Sequence, residues 1–149
     1  MKTKDIYIFN ELYKQGMYTK DIFNWLIRNG YQNSTIVADS SEGRLIAELR
    51  SMGIRKIRNS KKGAGSIMFG IDFMQGFKIH ILPKCENAIA EFNSYAYDRD
   101  KKTGEYINKP VDKDNHFIDS LRYALEPLIM PQKKVQDRMR AFKQLGLGN

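Results

Sequence analysis

Short β-branched or aromatic runs alternate with segments of helical length along most of this chain, and that alternation limits the folds open to it. "DIYIFNELY" comes first, with Ile6 and Ile8 on one face and Tyr7 and Phe9 on the other. "STIVADS", residues 34 to 40, is a second run and finishes in an aspartate; "IRKIRNS" and "KIHILP" follow, the last closed by Pro83. Between them, "KDIFNWLIRNG" is a helix capped by Thr19 and ended by Gly30. "EGRLIAELRSMG" sets Leu45, Leu49 and Met52 on one helical face and stops at Gly53. "IMFGIDFMQGF" is apolar enough to be a largely buried helix, and "NAIAEFNSYAY" is another. Strands alternating with helices predict an α/β domain with parallel strand pairs. In such sheets sites form where the carboxyl ends of strands meet loops, and Asp39 stands at such an end.

The 149 residues fit one domain, and 42% apolar content is enough for a single core. Apolar runs are too short to span a bilayer, and no signal-peptide pattern opens the chain, so no membrane role is expected. The single cysteine, Cys85, excludes an internal disulfide and suits a reducing compartment. It is expected to be a buried or incidental thiol. Charge is more informative. The net charge is +8, and from Arg50 to Lys62 stand Arg50, Arg55, Lys56, Arg58, Lys61 and Lys62 with no acidic residue among them. Lys133, Lys134, Arg138, Arg140 and Lys143 stand against Asp137 near the C-terminus. Local basic excess of this kind fits a polyanion, nucleic acid first, although a soluble domain of high pI has the same signature.

"DNHFIDSLRYAL", residues 114 to 125, carries the densest chemistry. At a helical pitch, Phe117, Leu121, Ala124, Leu125 and Leu128 share an arc of roughly 100°. His116, Asp119 and Tyr123 share another arc nearly opposite its middle, so Asp119 belongs to a separate polar seam. Each residue has an ordinary use. Asp39 could cap a helix, although Ser40 and Ser41 serve as well. Asp119 could be solvated, and His116 could bond Asp112 or Asp114. Together they fit phosphodiester hydrolysis, in which two Mg²⁺ or Mn²⁺ ions roughly 4 Å apart offset phosphoryl charge and activate water. Hard ions take oxygen ligands and keep several waters, so two or three aspartates from different elements suffice. A histidine one turn before the second carboxylate suits Mn²⁺ better than Mg²⁺.

"VADSSEGRLIAELRSMG", "KKGAGSI" and "KPVDKDNHFIDSLRYAL", in this order and spacing, resemble the C-terminal nuclease domain of tailed-phage terminase large subunits. The resemblance runs from about Lys4 to Leu128. It implies a ribonuclease H-like mixed sheet flanked by helices, and a metal-dependent endonuclease that cuts double-stranded DNA with little sequence preference. It also implies metal-binding carboxylates at Asp39 and Asp119, His116 as their active-site neighbour, and a DNA-side loop at Lys61, Lys62, Gly63 and Gly65. Implied partners are the terminase ATPase domain, the small terminase subunit and the portal, in the host cytoplasm. Residues 1–128 would form the nuclease domain and 129–149 a basic tail or peripheral helix beginning after Glu126-Pro127.

Members of that family open the domain with a strand bearing the first catalytic aspartate, in a pattern like G-x-D-x-G followed by an Asp-Pro turn. Neither that pattern nor the ATPase signature G-x-x-x-x-G-K-[ST] occurs here. "MKTKDIYIFNELY" instead resembles the third strand, so the first hairpin is expected to be absent. The sequence is equally compatible with a cut fragment, a split-gene product and a prophage remnant. Loss of a first strand exposes strand edges and apolar helix faces, which a second copy, a complementary segment or rearranged packing would cover. A catalytically silent DNA-binding or assembly module of the packaging motor is the alternative function, and a resolvase-like enzyme of the same fold a more distant one.

Overall fold

A computed structural model describes residues 4–61, 63, 65–95, 97–110 and 115–144; side chains at 97–99, 106–110, 130–135 and 142 lie outside the description. The order is β1 (Asp5–Ile8), α1 (Thr19–Arg28), β2 (Ile36–Ala38), α2 (Gly43–Ser51), β3 (Ile57–Asn59), α3 (Ser66–Gln75), β4 (Lys78–Ile81), α4 (Glu86–Ser94), β5 (Tyr97–Arg99), β6 (Tyr106–Pro110) and α5 (His116–Gln144). The expected α/β alternation is present, and the expected parallel pairing with it. β1 pairs with β4 in register Ile6 to Ile79 and Ile8 to Ile81. β2 pairs with β3, Ile36 opposite Ile57 and Ala38 opposite Asn59. β5 and β6 form an antiparallel hairpin.

Among the described residues, the β1–β4 and β2–β3 pairs are not hydrogen-bonded to each other. The core divides the same way. Leu26, Ile46, Leu49, Ile54 and Ile57 form one cluster around β2–β3 under α1 and α2. Ile71, Met74, Ile118, Leu125 and Ile129 join α3 to α5, and Ile8, Cys85 and Ala88 form a third cluster under β1, β4 and α4. Ile129, just past residue 128, is buried in the α3–α5 cluster.

α5 is the element that reaches both halves, and its buried face differs from the expected one. Ile118, Arg122, Leu125, Glu126 and Ile129 are buried, whereas Ala124 and Leu128 are exposed. The buried arc is rotated by roughly 100° from the expected stripe of Phe117, Leu121, Ala124, Leu125 and Leu128, and the two share Leu125. That stripe faces a groove of about 310 Å³, in which Phe117, Leu121 and Ala124 meet Tyr7, Phe9, Trp25 and Tyr31. Asn10 crosses near it, donating to the Tyr31 hydroxyl at 3.0 Å and to Asn29 at 3.1 Å. Phe117 and Leu121 also pack on the cluster under β1 and β4, whereas Ala124 and Leu128 stay exposed.

Other local expectations are corrected. Tyr18, not Thr19, is the N-cap of α1: its backbone N–H donates to Asp21, and the Thr19 hydroxyl instead donates to Glu48 of α2. In α2 the buried positions are Ile46 and Leu49, and Met52 is exposed. α5 runs without a break through Pro127 into the basic segment. Pro127 there lacks the N–H that would have reached the carbonyl four residues back. No helix among the described residues is long and apolar enough to cross a membrane.

The start of α5 is fixed by a carboxylate from another helix. Glu91 of α4 is buried, and its Oε2 accepts the Phe117 and Ile118 N–H groups at 2.7 and 3.0 Å. Its Oε1 accepts the Tyr13 hydroxyl at 2.9 Å. A negative group at a helix N-terminus satisfies orphan donors and opposes the positive end of the helix dipole. Glu11 does the same for α4, accepting the Asn87 and Ala88 N–H groups. Burial pushes the Glu11 carboxyl up, but those bonds outweigh it and hold the group below the usual range. Cys85 is fully buried, and burial raises its thiol, as suits the inert thiol expected.

Candidate functional site

Asp39 follows β2 directly, and its half-buried carboxylate is held on both oxygens. Oδ1 accepts the Ser41 N–H at 2.8 Å and the Ser41 hydroxyl at 2.9 Å. Oδ2 accepts the hydroxyl of Tyr123 at 2.9 Å. The aspartate closes a turn after the strand, as short polar side chains do, and uses its other oxygen to reach α5. Tyr123 is one helical turn beyond Asp119, so the Tyr123 end of the polar seam on α5 faces the carboxyl end of β2.

Asp119 is paired along its own helix. Its Oδ1 accepts from Arg122 Nη2 at 3.0 Å, with Nε at 3.4 Å. The Arg122 guanidinium lies over the Tyr123 ring, 4.6 Å from its centroid. Its stem is pressed against α3 at Gly70, where a Cβ would fall 2.6 Å from Arg122 Cγ and Cδ. Glycine at this position is therefore a packing requirement. Burial raises the Tyr123 phenol, and the bond to Asp39 and the negative charge of Asp119 raise it further. The phenol stays protonated as a donor, with both carboxylates acting on it.

The basic loop meets α5 one turn further on. Glu126, buried, accepts the Lys61 N–H at 2.6 Å and pairs with Arg58 at 2.6 Å. Lys61 lines a narrow cleft with Ser66, Arg122, Tyr123 and Glu126. Gly65 has a left-handed backbone, φ 70°, as it leads into α3, and the Gly63 carbonyl accepts the Ser66 N–H. Lys62 lies outside the described residues, as do Asp112 and Asp114. Within the acid-free run Arg58 is paired with Glu126, and Arg50 donates twice to the Ile57 carbonyl; Arg50, Arg55, Lys56 and Lys61 are exposed.

Asp39, Asp119 and the Lys61 end of the loop are thus assembled around Tyr123. His116 lies one turn before Asp119, exposed, with its ring tilted against Tyr13 at 6.4 Å. Among the described residues no group of three His, Cys, Asp or Glu side chains is placed to hold a metal ion. The donor set still fits a hard divalent cation in part, since it supplies carboxylate oxygens from two elements. Beside the same strand end, the buried Ser60 hydroxyl has no hydrogen-bond partner among the described residues. Sequence reasoning puts Tyr123 on the polar seam with no role of its own, and gives no part in the site to Arg122, Glu126 or Glu91. The signal available for the two glutamates is an acidic residue inside an apolar helical window, "AIAEF" and "ALEPLI".

A strand-end aspartate on a parallel pair, with a helix bearing a second aspartate reaching over it, fits the ribonuclease H-like class of domain. The chain belongs to the terminase RNase H-like domain family, whose model matches residues 1–127. It is 37% identical over 125 residues to the terminase large subunit of Bacillus phage SPP1, covering 81% of this chain and 29% of that protein. It is 28% identical over 144 residues to the PBSX phage terminase large subunit of Bacillus subtilis (strain 168), covering 95% of this chain and 33% of that one. It therefore spans about a third of the length of these curated relatives. A crystal structure of the large-terminase nuclease domain from bacteriophage SPP1, with bound Mn, superposes with a TM-score of 0.79 at 36% identity, over 85% of this chain and 72% of that one. The large terminase of a thermophilic bacteriophage shares the fold, with a TM-score of 0.57 at 23% identity, over 76% of this chain and 29% of that one.

Proposed function

We propose that this domain is the metal-dependent endonuclease of a viral DNA-packaging terminase large subunit, cutting double-stranded DNA with little sequence preference. The observation that carries this reading is the junction of Asp39, Asp119 and Lys61 around Tyr123. Asp39 and Asp119 would hold Mn²⁺ or Mg²⁺, with His116 assisting, and the SPP1 domain with its bound Mn supports a divalent ion here. Such an ion supplies charge neutralisation at the phosphoryl oxygens and a more acidic water. The protein's part is to hold two carboxylates at the strand end and to set phosphate-binding groups beside them. Lys61, Lys62 and the glycine backbone of the loop contact phosphates, which gives affinity without base readout. In the packaging motor the domain works in the host cytoplasm with the ATPase domain, the small subunit and the portal, and a second copy is one cover for its open sheet edge.

A catalytically silent DNA-binding module is the second reading, favoured by the absence of a third ligand among the described residues. Cleavage of a duplex in Mn²⁺ separates the two: the enzyme cuts, and the module binds in a salt-sensitive way without cutting. The loop is tested independently. Lys61→Ala combined with Lys62→Ala is expected to weaken binding to duplexes of any sequence. The slope of log affinity against log salt should flatten by roughly 0.9 for each phosphate that is no longer neutralised. Fluorescence anisotropy across a salt series reads this directly, and an unchanged slope would remove the loop from the DNA surface.

A further inference from the structure

We propose that Tyr123 and Arg122 form a brace that sets the separation of the Asp39 and Asp119 carboxylates, each acting as a positioning residue through the carboxylate it holds. This rests on the reading of those two carboxylates as metal ligands. The brace is continuous. Asp39 Oδ2 accepts the Tyr123 hydroxyl, the Tyr123 ring carries the Arg122 guanidinium, and that guanidinium holds Asp119 Oδ1. Ser41 ties Asp39 to its own turn, and Tyr123 ties it across to α5. The brace is anchored at both ends. Arg122 is buried against Gly70 of α3, and the helix that carries both residues is pinned at its start by Glu91. Hydrogen bonds of this kind orient metal-binding side chains, and their loss costs roughly 10–100-fold in metal affinity.

Tyr123→Phe keeps the ring under Arg122 and removes the hydroxyl alone. Mn²⁺ affinity, read from the paramagnetic resonance of free Mn²⁺ in a titration of the full chain, should fall about tenfold, with the melting temperature within a few degrees of wild type. Arg122→Lys keeps a cation beside Asp119 and loses the planar fork, so it should also weaken Mn²⁺ binding, and by less than Asp119→Ala. Wild-type Mn²⁺ affinity in Tyr123→Phe overturns the brace while leaving the metal reading standing. A weakened affinity that tracks a large fall in melting temperature also overturns it, because the hydroxyl would then serve the fold rather than the site. Failure of the unmutated chain to bind Mn²⁺ overturns the metal reading and the brace together.

Discussion

Supercoiled plasmid in Mn²⁺ is expected to be nicked on the order of 100-fold faster by this chain extended at its N-terminus with a sheet-completing β-hairpin than by the 149 residues alone. The physical case is the divided sheet. β1–β4 and β2–β3 are separate pairs, the core is divided with them, and an apolar groove opens between Tyr7 and Phe9 on one side and Trp25 and Tyr31 on the other. Tyr7 and Phe9 are 66% and 55% exposed, an apolar surface that added strands would cover. Two strands in that space would bond the open edges and cover the exposed stripe of α5. They would also fix Asp39, carried by one half, against α5, whose Phe117 and Leu121 pack on the other half and whose Asp119 is the second carboxylate. A misplacement of about 1 Å in a catalytic group costs on the order of 100-fold in rate, so rigidity and activity should rise together. The melting temperature should therefore increase with the nicking rate. Robust nicking by the unextended chain, abolished in Asp119→Ala, would show that the added strands and any carboxylate they bear are dispensable.

Asp119→Ala in the extended chain is expected to bring Mn²⁺-dependent nicking down to background, and Asp39→Ala to do the same. Each removes one of two oxygen donors, and a hard ion held by so few protein ligands cannot spare either. The two losses should differ in their side effects. Asp119→Ala leaves Arg122 buried without its carboxylate, so some stability is lost with the activity. Asp39→Ala strips one acceptor from Tyr123 and two hydrogen bonds from a surface turn, and its melting temperature should fall less. Gel-resolved nicking together with thermal melts separates these outcomes. Residual cleavage in both variants at more than a few per cent of the parent would mean that the nucleolytic centre lies elsewhere.

Much of this arrangement is legible in the residues. Strand–helix alternation predicts the α/β order and the parallel pairs because periodicity is a local property. Asp39 stands out because it ends a β-branched run, and Asp119 because it falls off the apolar arc of its helix. What local pattern misreads depends on tertiary packing. The apolar stripe of α5 predicts a core face; Leu125, Leu121 and Phe117 of it do pack on the core, and a neighbouring face containing Arg122 and Glu126 is buried as well. Those charges are tolerated inside because Asp119, Arg58 and the Lys61 backbone satisfy them. Pro127 signals a helix end because its missing N–H is a local property, whereas packing of Leu125 and Ile129 on both sides carries the helix through. The basic run overstates the free charge for the same reason, since Arg58 is paired with Glu126, a partner 68 residues away that no local pattern reveals.

The central claim is that a divalent cation sits between the strand-end aspartate and the helix aspartate. Crystals of this chain soaked in Mn²⁺ and measured for anomalous scattering test it most directly. The account predicts a peak coordinated by carboxylate oxygens of both Asp39 and Asp119, with His116 within reach of it. A peak held by neither aspartate, or no peak in a soaked crystal whose Asp39 and Asp119 carboxylates are accessible, would contradict it.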